Sequence, residues 1–263
     1  MGNILKIENL TVSFHALKAV SGFGMEVESG TIRGIIGPNG AGKTTVFNAI
    51  SGFVKPAAGT ILFFQKEVTK LDPHKITSLG IARTFQNIKL FGDLSVLENV
   101  MIGFHLRFNP FLFWQALLHL PGYKNREKEI YDNALVLLEK TGLLRLADEK
   151  ALSLPYGLQR RLEIARAIAT RPKLLLLDEP AAGINPSEKD ELMQFVKNIR
   201  DEFGLTVLLI EHDMHVVMGI CDKITVLDYG ERIAEGCPED VRSNPRVVEA
   251  YLGETTEELG TDN

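Results

Sequence analysis

The chain has 263 residues and a formal net charge of −5, with 45% hydrophobic and 24% charged residues. This composition is typical of a protein with a substantial core, and the negative charge does not favour sequence-independent binding of nucleic acid. The two cysteines, Cys221 and Cys237, lack the C-x-x-C spacing of a zinc or redox site, so we expect structural thiols in a reducing compartment.

Targeting and membrane signals are not evident in the sequence. Residues 1–30 lack the basic start and apolar centre of a secretory signal peptide. No segment reaches the roughly 18 uninterrupted apolar residues that a membrane-spanning helix needs. We therefore expect a chain that is soluble by itself and able to bind a membrane protein.

The first part of the chain predicts short strands around one helix. Residues 4–10 and 25–28 alternate between apolar and polar types, residues 12–14 are a candidate continuation of the first strand, and residues 60–64 form a strand after a turn. Residues 31–36 are predicted to be a strand that leads directly into a glycine-rich segment. Residues 46–50 continue from that segment as a helix.

The glycine-rich segment fits the phosphate-loop pattern G-x-x-x-x-G-K-[ST] in full. Its glycines allow backbone N–H groups to turn inward around phosphate oxygens, Lys43 brings a positive charge to the β- and γ-phosphates, and the Thr44 hydroxyl can bind Mg²⁺. An ordinary glycine-rich turn is disfavoured, because all fixed positions and both flanks agree. We therefore assign nucleotide binding to Gly37, Pro38, Asn39, Gly40, Ala41, Gly42, Lys43, Thr44 and Thr45.

Residues 92–160 are predicted to be mostly helical. Ser95 and Glu98 have the spacing of a capping box at a helix start, and residues 127–140 form an amphipathic helix. Residues 111–120 are strongly apolar. A segment so short favours a helix packed in the core, and the alternative is a surface that docks on a partner.

After Gly157 the pattern alternates between helices and strands. The all-apolar run at residues 173–177 predicts a strand buried on both faces of a parallel sheet. Asn185 and Pro186 predict the start of a helix, and from Gly253 we expect a polar, acidic and mobile tail. Further strands are predicted at residues 206–210, 224–227 and 231–235.

Two carboxylates, Asp178 and Glu179, follow the buried strand directly. The carboxyl ends of strands are where ligands bind in open α/β sheets. Asp178 is placed to hold Mg²⁺ directly or through water. Glu179 is the better general base, because that role needs a carboxylate within one hydrogen bond of the attacking water. An acidic pair that only caps the strand end is the alternative, and the phosphate loop upstream disfavours it.

The order of these motifs resembles that of the nucleotide-binding subunits of ATP-binding cassette (ABC) transporters. The series covers nearly the whole chain: the phosphate loop, Gln86, a signature segment at residues 154–158, Asp178 with Glu179, and His212. The resemblance implies an α/β P-loop NTPase (RecA-like) fold. Its parallel-sheet core would carry an N-terminal antiparallel β subdomain and an inserted α-helical subdomain.

The resemblance implies one ABC ATPase domain over residues 1–263. Within it we expect four parts: an antiparallel β part with the phosphate-loop half of the core, a helical subdomain with the signature, the rest of the catalytic core, and a C-terminal extension. These parts correspond to residues 1–91, 92–160, 161–235 and 236–263.

The resemblance also implies roles for single residues. Gln86 resembles the Q-loop glutamine, which contacts Mg²⁺ and the attacking water. His212 resembles the switch histidine that contacts the γ-phosphate. Phe14 resembles the aromatic residue that stacks on adenine, although a place in the core is an equal alternative. With Glu179, the catalytic candidates are therefore Gln86 and His212, and the metal candidates are Thr44, Gln86 and Asp178.

The signature segment departs from the family's usual Leu-Ser-Gly-Gly-Gln. This chain has Leu-Pro-Tyr-Gly-Leu, so Pro155 removes a hydroxyl and an N–H group that could contact phosphate. Tyr156 and Gly157 remain nucleotide-binding candidates, because the Gly157 backbone and the helix N-terminus can still face an anion. We expect a weaker half-site, or a partner that carries the stronger signature.

The details resemble the LivG-type subunit of branched-chain amino acid importers. They include Arg-Thr-Phe-Gln at residues 83–86, Gln-Arg-Arg-Leu-Glu at residues 159–163 and Ile-Glu-His-Asp-Met at residues 210–214. This resemblance implies ATP and Mg²⁺ as cofactors and a second ABC ATP-binding subunit, in a homo- or heterodimer. It also implies two membrane permeases, an extracytoplasmic solute-binding protein that acts indirectly, and a peripheral place on the cytoplasmic face of the cell membrane.

Two other functions are weighed against the importer. A soluble ABC ATPase of DNA repair or translation usually carries coiled-coil insertions or two fused cassettes, and neither is visible in the sequence. A P-loop kinase would need an acceptor-substrate lid and would not explain residues 154–167. Release of free phosphate, against transfer to a small acceptor, separates an ATPase from a kinase.

Overall fold

The structure, a computed structural model, describes residues 2–105 and 123–258. The apolar segment at residues 111–120 lies outside this range. Strands alternate with helices, and the described strands are β1 Asn3–Phe14, β2 Leu17–Glu28, β3 Ile32–Ile36, β4 Ala58–Phe63, β5 Lys66–Glu67, β6 Ile81–Arg83, β7 Leu174–Asp178, β8 Thr206–Ile210, β9 Lys223–Asp228 and β10 Glu231–Gly236.

The described helices cover both sides of a central sheet and form a separate helical part. They are α1 Lys43–Ile50, α2 Pro73–Leu79, α3 Val96–His105, α4 Tyr123–Lys140, α5 Tyr156–Ala169, α6 Pro186–Phe203, α7 Met214–Ile220, α8 Pro238–Arg242 and α9 Pro245–Glu258. Among the residues described, no helix has the length and apolar character needed to cross a membrane.

The strands form two sheets. The smaller is antiparallel, in the order β2-β1-β4-β5, and the larger has the order β10-β9-β3-β8-β7-β6. Every pairing in the larger sheet is parallel except that of β10 with β9. The predicted α/β fold, with an N-terminal antiparallel part and a parallel core, is therefore confirmed.

Strand β7, between β8 and β6, lies between two hydrophobic cores. Leu175 and Leu177 face the core shared with the helical part and α6, whereas Leu174 and Leu176 face the core shared with α1 and the antiparallel sheet. All four are fully buried. Alternation of side chains across the sheet explains why an all-apolar run was needed here.

The helical part packs on the core through α5. Ser95 and Glu98 form the predicted capping box: Glu98 N–H donates to Ser95 Oγ at 3.1 Å, and Ser95 N–H donates to Glu98 Oε2 at 2.7 Å. Helix α3 approaches α5 closely at Gly103, where a Cβ atom would lie 2.4 Å from the carbonyl oxygen of Arg166.

Three local segments differ from, or were missing in, the prediction. Strand β1 continues through residues 12–14, as the pattern allowed. Strand β2 covers Leu17–Glu28, and its residues 17–24 were not predicted because bulges in the pairing disturb the alternation that a sequence pattern requires. Strand β6 has only three residues and was not predicted. Helix α9 continues to Glu258, past Gly253, where a mobile tail was expected.

The close approach of α3 and α5 gives the first testable prediction. Gly103→Ala should lower the free energy of unfolding by about 1–3 kcal/mol, because backbone at Arg166 and the Ala169 Cβ, 2.7 Å away, cannot easily yield. Gly219→Ala, in α7, is the control: its new Cβ would meet only the flexible side chain of Met193. Denaturant unfolding measures both, and equal effects would contradict the packing argument.

Candidate functional site

The phosphate loop, residues 37–42, joins β3 to α1 and has two positions where no side chain fits. Gly37 has φ 150° and Gly42 has φ 100°. A Cβ atom on Gly37 would lie 2.0 Å from the carbonyl oxygen of Leu227, and one on Gly42 would lie 2.6 Å from that of Ala19. The two glycines are therefore required by the surrounding backbone as well as by the pattern.

The loop surrounds the buried, positively charged side chain of Lys43 and ends at the positive end of a helix. Lys43 Nζ donates to the carbonyl oxygens of Gly37 at 2.6 Å and Pro38 at 2.7 Å. Helix α1 begins at Lys43 without a side-chain cap. Because N–H groups in a first helical turn have no partner within the helix, this end is suited to bind an anion. Thr44 is exposed here and Thr45 is half-buried.

Asp178, at the end of β7, is held by Arg83 of β6. Arg83 Nη2 donates to Asp178 Oδ2 at 2.7 Å, and both side chains are almost completely buried. The other terminal nitrogen, Nη1, donates to Asn48 Oδ1 at 2.8 Å and Ser51 Oγ at 2.9 Å. Arg83 therefore joins the carboxylate to the helix that follows the phosphate loop.

The side chains of Gln86, Glu179 and His212 lie close together, as their assignment to one site predicts. Gln86 Nε2 donates to Glu179 Oε2 at 2.9 Å, and His212 Nδ1 lies 3.7 Å from the same oxygen. Glu179 has φ 45°, a left-handed backbone that is uncommon for glutamate. Strain of this kind is concentrated at functional sites, and here it coincides with the contact between Glu179 and Gln86.

Glu211, directly before His212, is completely buried. Its Oε1 accepts from the Ala181 N–H at 2.7 Å, and Oε2 has no hydrogen-bond partner among the described residues. Burial raises the pKa of the Glu211 carboxyl above its usual value, although the Ala181 N–H opposes the rise. The protonated form of Glu211 is therefore easier to reach here than in an exposed glutamate, beside the loops that carry Glu179 and His212.

The signature segment begins α5 and faces the loop that follows Glu179. Pro155 precedes the helix, and Tyr156 is 42% exposed. A Cβ atom on Gly157 would lie 3.6 Å from Glu188 Oε2, and one on Gly183 would lie 3.4 Å from the Tyr156 ring. Asn185 caps α6 as predicted, since its side chain accepts from the Glu188 N–H. A carboxylate therefore lies beside the Gly157 backbone.

A cavity of about 540 Å³ lies between the phosphate loop and the C-terminal helix α9. Its chemistry is mixed, with acidic, basic, aromatic and apolar side chains. The residues that line it include Pro38, Asn39, Gly40, Ala41, Tyr229, Arg246 and Glu249. No pattern in the sequence connects the C-terminal extension with the phosphate loop.

The assignment of Phe14 had two alternatives, and two other site residues, Arg83 and Glu211, were missed. Phe14 is 46% exposed at the end of β1, so its alternative place in the core is wrong. Arg83 and Glu211 were quoted within motifs but given no role. A charged residue next to a predicted site was the only signal for either, because their partners are distant in sequence. Both cysteines are free thiols, and Cys221 is buried.

The fold and this site define a phosphate-loop NTPase with its carboxylates at the carboxyl edge of a parallel sheet. The sequence model of the ABC transporter family matches residues 20–182. The model of the branched-chain amino acid ATP-binding cassette transporters matches residues 231–256. The chain belongs to the ABC transporter family, as an ATP-binding cassette that acts as an ATPase.

Individual relatives agree with this membership. The high-affinity branched-chain amino acid transport ATP-binding protein BraF of Pseudomonas aeruginosa is 46% identical over 251 residues, 95% of this chain and 98% of that protein. A crystal structure of an ABC transporter cassette in its ADP conformation has a TM-score of 0.84 at 35% identity, covering 96% of this chain and all of that one. A dimeric bacterial cassette has a TM-score of 0.73 at 27% identity, with 89% and 98% covered.

The buried Glu211 gives a prediction about pH. Because its folded pKa is raised above the usual 4.5, the unfolded chain loses this proton first, and stability falls as pH rises through the interval between the two values. Glu211→Gln keeps an acceptor for the Ala181 N–H but cannot ionise. In thermal unfolding from pH 4 to 8, the stability of the variant relative to that of the wild type should therefore increase with pH. A constant difference in stability would contradict the raised pKa.

Proposed function

We propose that this cassette hydrolyses Mg·ATP to power the uptake of branched-chain or related amino acids through partner permeases. The observation that carries the proposal is its similarity to BraF, a protein named for this transport, over 95% of the chain. The separate match of residues 231–256 to branched-chain amino acid cassettes supports the same substrate class. The geometry of the site supports the ATPase reaction independently.

The phosphate loop would hold the triphosphate. In the proposed complex, Lys43 exchanges its loop carbonyl partners for β- and γ-phosphate oxygens, and the first turn of α1 faces the anion. Phe14 is exposed and is proposed to stack on the adenine. Thr44, Gln86 and Asp178 would hold Mg²⁺, since hydroxyl, amide and carboxylate oxygens are the donors that this ion prefers. When bound, Mg²⁺ neutralises charge on the phosphates.

Glu179 is the proposed general base. Gln86 already donates to its Oε2 at 2.9 Å, and His212 lies 3.7 Å away. A water bound between Glu179 and the γ-phosphate would therefore meet the carboxylate that takes its proton and the amide that orients it. His212 is proposed to contact the γ-phosphate, a role that its exposed position allows.

A second cassette is proposed to complete the site. Tyr156 and Gly157, at the start of α5, would face the nucleotide of the partner cassette, as a homo- or heterodimer. Two permeases, with an extracytoplasmic solute-binding protein beyond them, would hold the pair at the cytoplasmic face of the cell membrane. The four parts proposed for the domain, from residues 1–91 to 236–263, would then move together when the two cassettes close on each other.

Two substitutions test the residue roles. Glu179→Gln should lower turnover by at least about 10²-fold with ATP affinity retained, because it removes only the base. Lys43→Ala should weaken ATP binding by about 10- to 100-fold, because it removes a charge-assisted contact with phosphate. Phosphate release and equilibrium ATP binding measure the two effects.

The control for these substitutions is Glu202→Gln, which changes an exposed surface carboxylate paired with Lys140. It should leave both quantities unchanged. Normal turnover in Glu179→Gln would remove Glu179 from the base role, and normal affinity in Lys43→Ala would contradict the assignment of the phosphate loop.

The transport role is tested by purifying the tagged full-length chain from its own cells in a gentle detergent. Mass spectrometry should identify two multi-span permeases and a second cassette, or only this cassette if the dimer is homomeric. Uptake of labelled leucine by the reconstituted complex should then require ATP. Recovery of ribosomal or DNA-repair proteins alone would overturn the transporter role and leave the ATPase assignment intact.

A further inference from the structure

The Q-loop, residues 84–91, is anchored to α5 by a completely buried arginine. Arg160 Nη1 donates to the carbonyl oxygen of Phe85 at 2.8 Å, and Nη2 donates to that of Gln86 at 2.8 Å. Nη1 also donates to Glu163 Oε2 at 2.8 Å. One guanidinium therefore holds the backbone on both sides of the Gln86 N–Cα bond and pairs with a carboxylate on its own helix.

Two further side chains of α5 hold the other end of the same loop. Glu163, which is 2% exposed, accepts from the Lys89 N–H through Oε1 at 3.2 Å. Arg166 donates from Nη2 to the carbonyl oxygen of Lys89, and its guanidinium lies 5.5 Å from the centre of the Phe91 ring. Glu163 thus joins the contacts of Arg160 to those of Arg166.

The spacing of these three residues places them on one face of α5. Positions 160, 163 and 166 are three residues apart, and side chains at this spacing are neighbours on a helix surface. Together they contact four backbone groups of the Q-loop. A buried ion pair is a weak source of stability, because desolvation opposes its attraction. The contacts with backbone carbonyl groups instead allow the Arg160–Glu163 pair to hold the Q-loop in position.

We propose that Arg160, Glu163 and Arg166 are positioning residues that bind the Q-loop to the signature helix, so that the two move as one unit. This inference rests on the proposed roles of Gln86 and Glu179. The Gln86 side-chain amide contacts Glu179 at 2.9 Å, and the backbone of Gln86 is bound to α5 through Arg160. A movement of α5 therefore moves Gln86 relative to Glu179.

The arrangement links two nucleotides in the proposed dimer. Helix α5 starts at Tyr156, in the signature that would face the partner's nucleotide, and holds Gln86 at this chain's own site. Docking of the signature on a partner's ATP would thereby set Gln86 for hydrolysis in this chain. Loss of the anchor should slow catalysis without weakening ATP binding.

The test uses Arg160→Lys in the full-length chain. Lysine keeps the charge beside Glu163, but a single ammonium does not reproduce the planar fork that reaches both carbonyls. Turnover should fall by about 10-fold or more, as expected for a misplaced catalytic group, while ATP affinity changes by less than about 2-fold. Amide hydrogen exchange of residues 85–91 should become faster at the same time.

Arg166→Met provides a second variant, which leaves the buried Arg160–Glu163 pair in place and should give a smaller change of the same kind. Arg200→Lys is the matched control. Arg200 lies on α6 and pairs with Asp201 and Asp222, away from the Q-loop. It should change neither turnover nor exchange in residues 85–91.

The outcomes separate this inference from the proposed function. If Gln86→Ala slows turnover but both anchor variants keep normal turnover and exchange, the anchor is overturned. It is also overturned if the variants lose only thermal stability, or if ATP affinity falls in proportion to turnover. If Gln86→Ala itself has no effect, the proposed catalytic role of Gln86 fails, and faster exchange in the anchor variants would still support the attachment of the loop.

Discussion

Burial of the parallel strands on both faces is the constraint on which the site depends. Strands β3, β7 and β8 are buried at every position, and their alternate side chains pack into the two cores on opposite faces of the sheet. Because the strands are parallel, the segments after them emerge at one edge of the sheet. The phosphate loop, Glu179 and His212 are neighbours for that reason.

Arginines fix what apolar packing leaves undetermined. Packing places the ends of the strands, but it does not fix the orientation of a carboxylate or the path of an irregular loop. Arg83 does the first for Asp178, and Arg160 does the second for the backbone at Gln86. A guanidinium suits both tasks because its donors lie in one rigid plane. The order of the site thus comes from a few directed contacts on an apolar frame.

The sequence was most informative where function and local structure need the same residues. The phosphate loop, Asp178 and Glu179 could be predicted because a strand, a turn and a helix surround them within a few positions. Gln86 and His212 were found only through the order of motifs. Their contact with Glu179 depends on strand order, which one-dimensional patterns do not contain.

Contacts between distant residues explain most of what was missed. Arg83 and Asp178 are 95 positions apart, and Arg160 lies 74 positions from Gln86. A pattern within a short window cannot connect such pairs. Bulges hid the true length of β2 in a similar way, because each bulge reverses the alternation on which strand prediction relies.

The contact of Arg83 with Asp178 has a consequence for the choice of cation. Because Arg83 already occupies one acceptor position of Oδ2, Oδ1 would be the more open oxygen for a metal at this carboxylate. Monodentate binding suits the small octahedral shell of Mg²⁺, whereas Ca²⁺ favours more oxygens and often takes both from one carboxylate. A buried arginine, itself no ligand, would in this way favour the smaller ion by leaving one oxygen of Asp178 more open than the other.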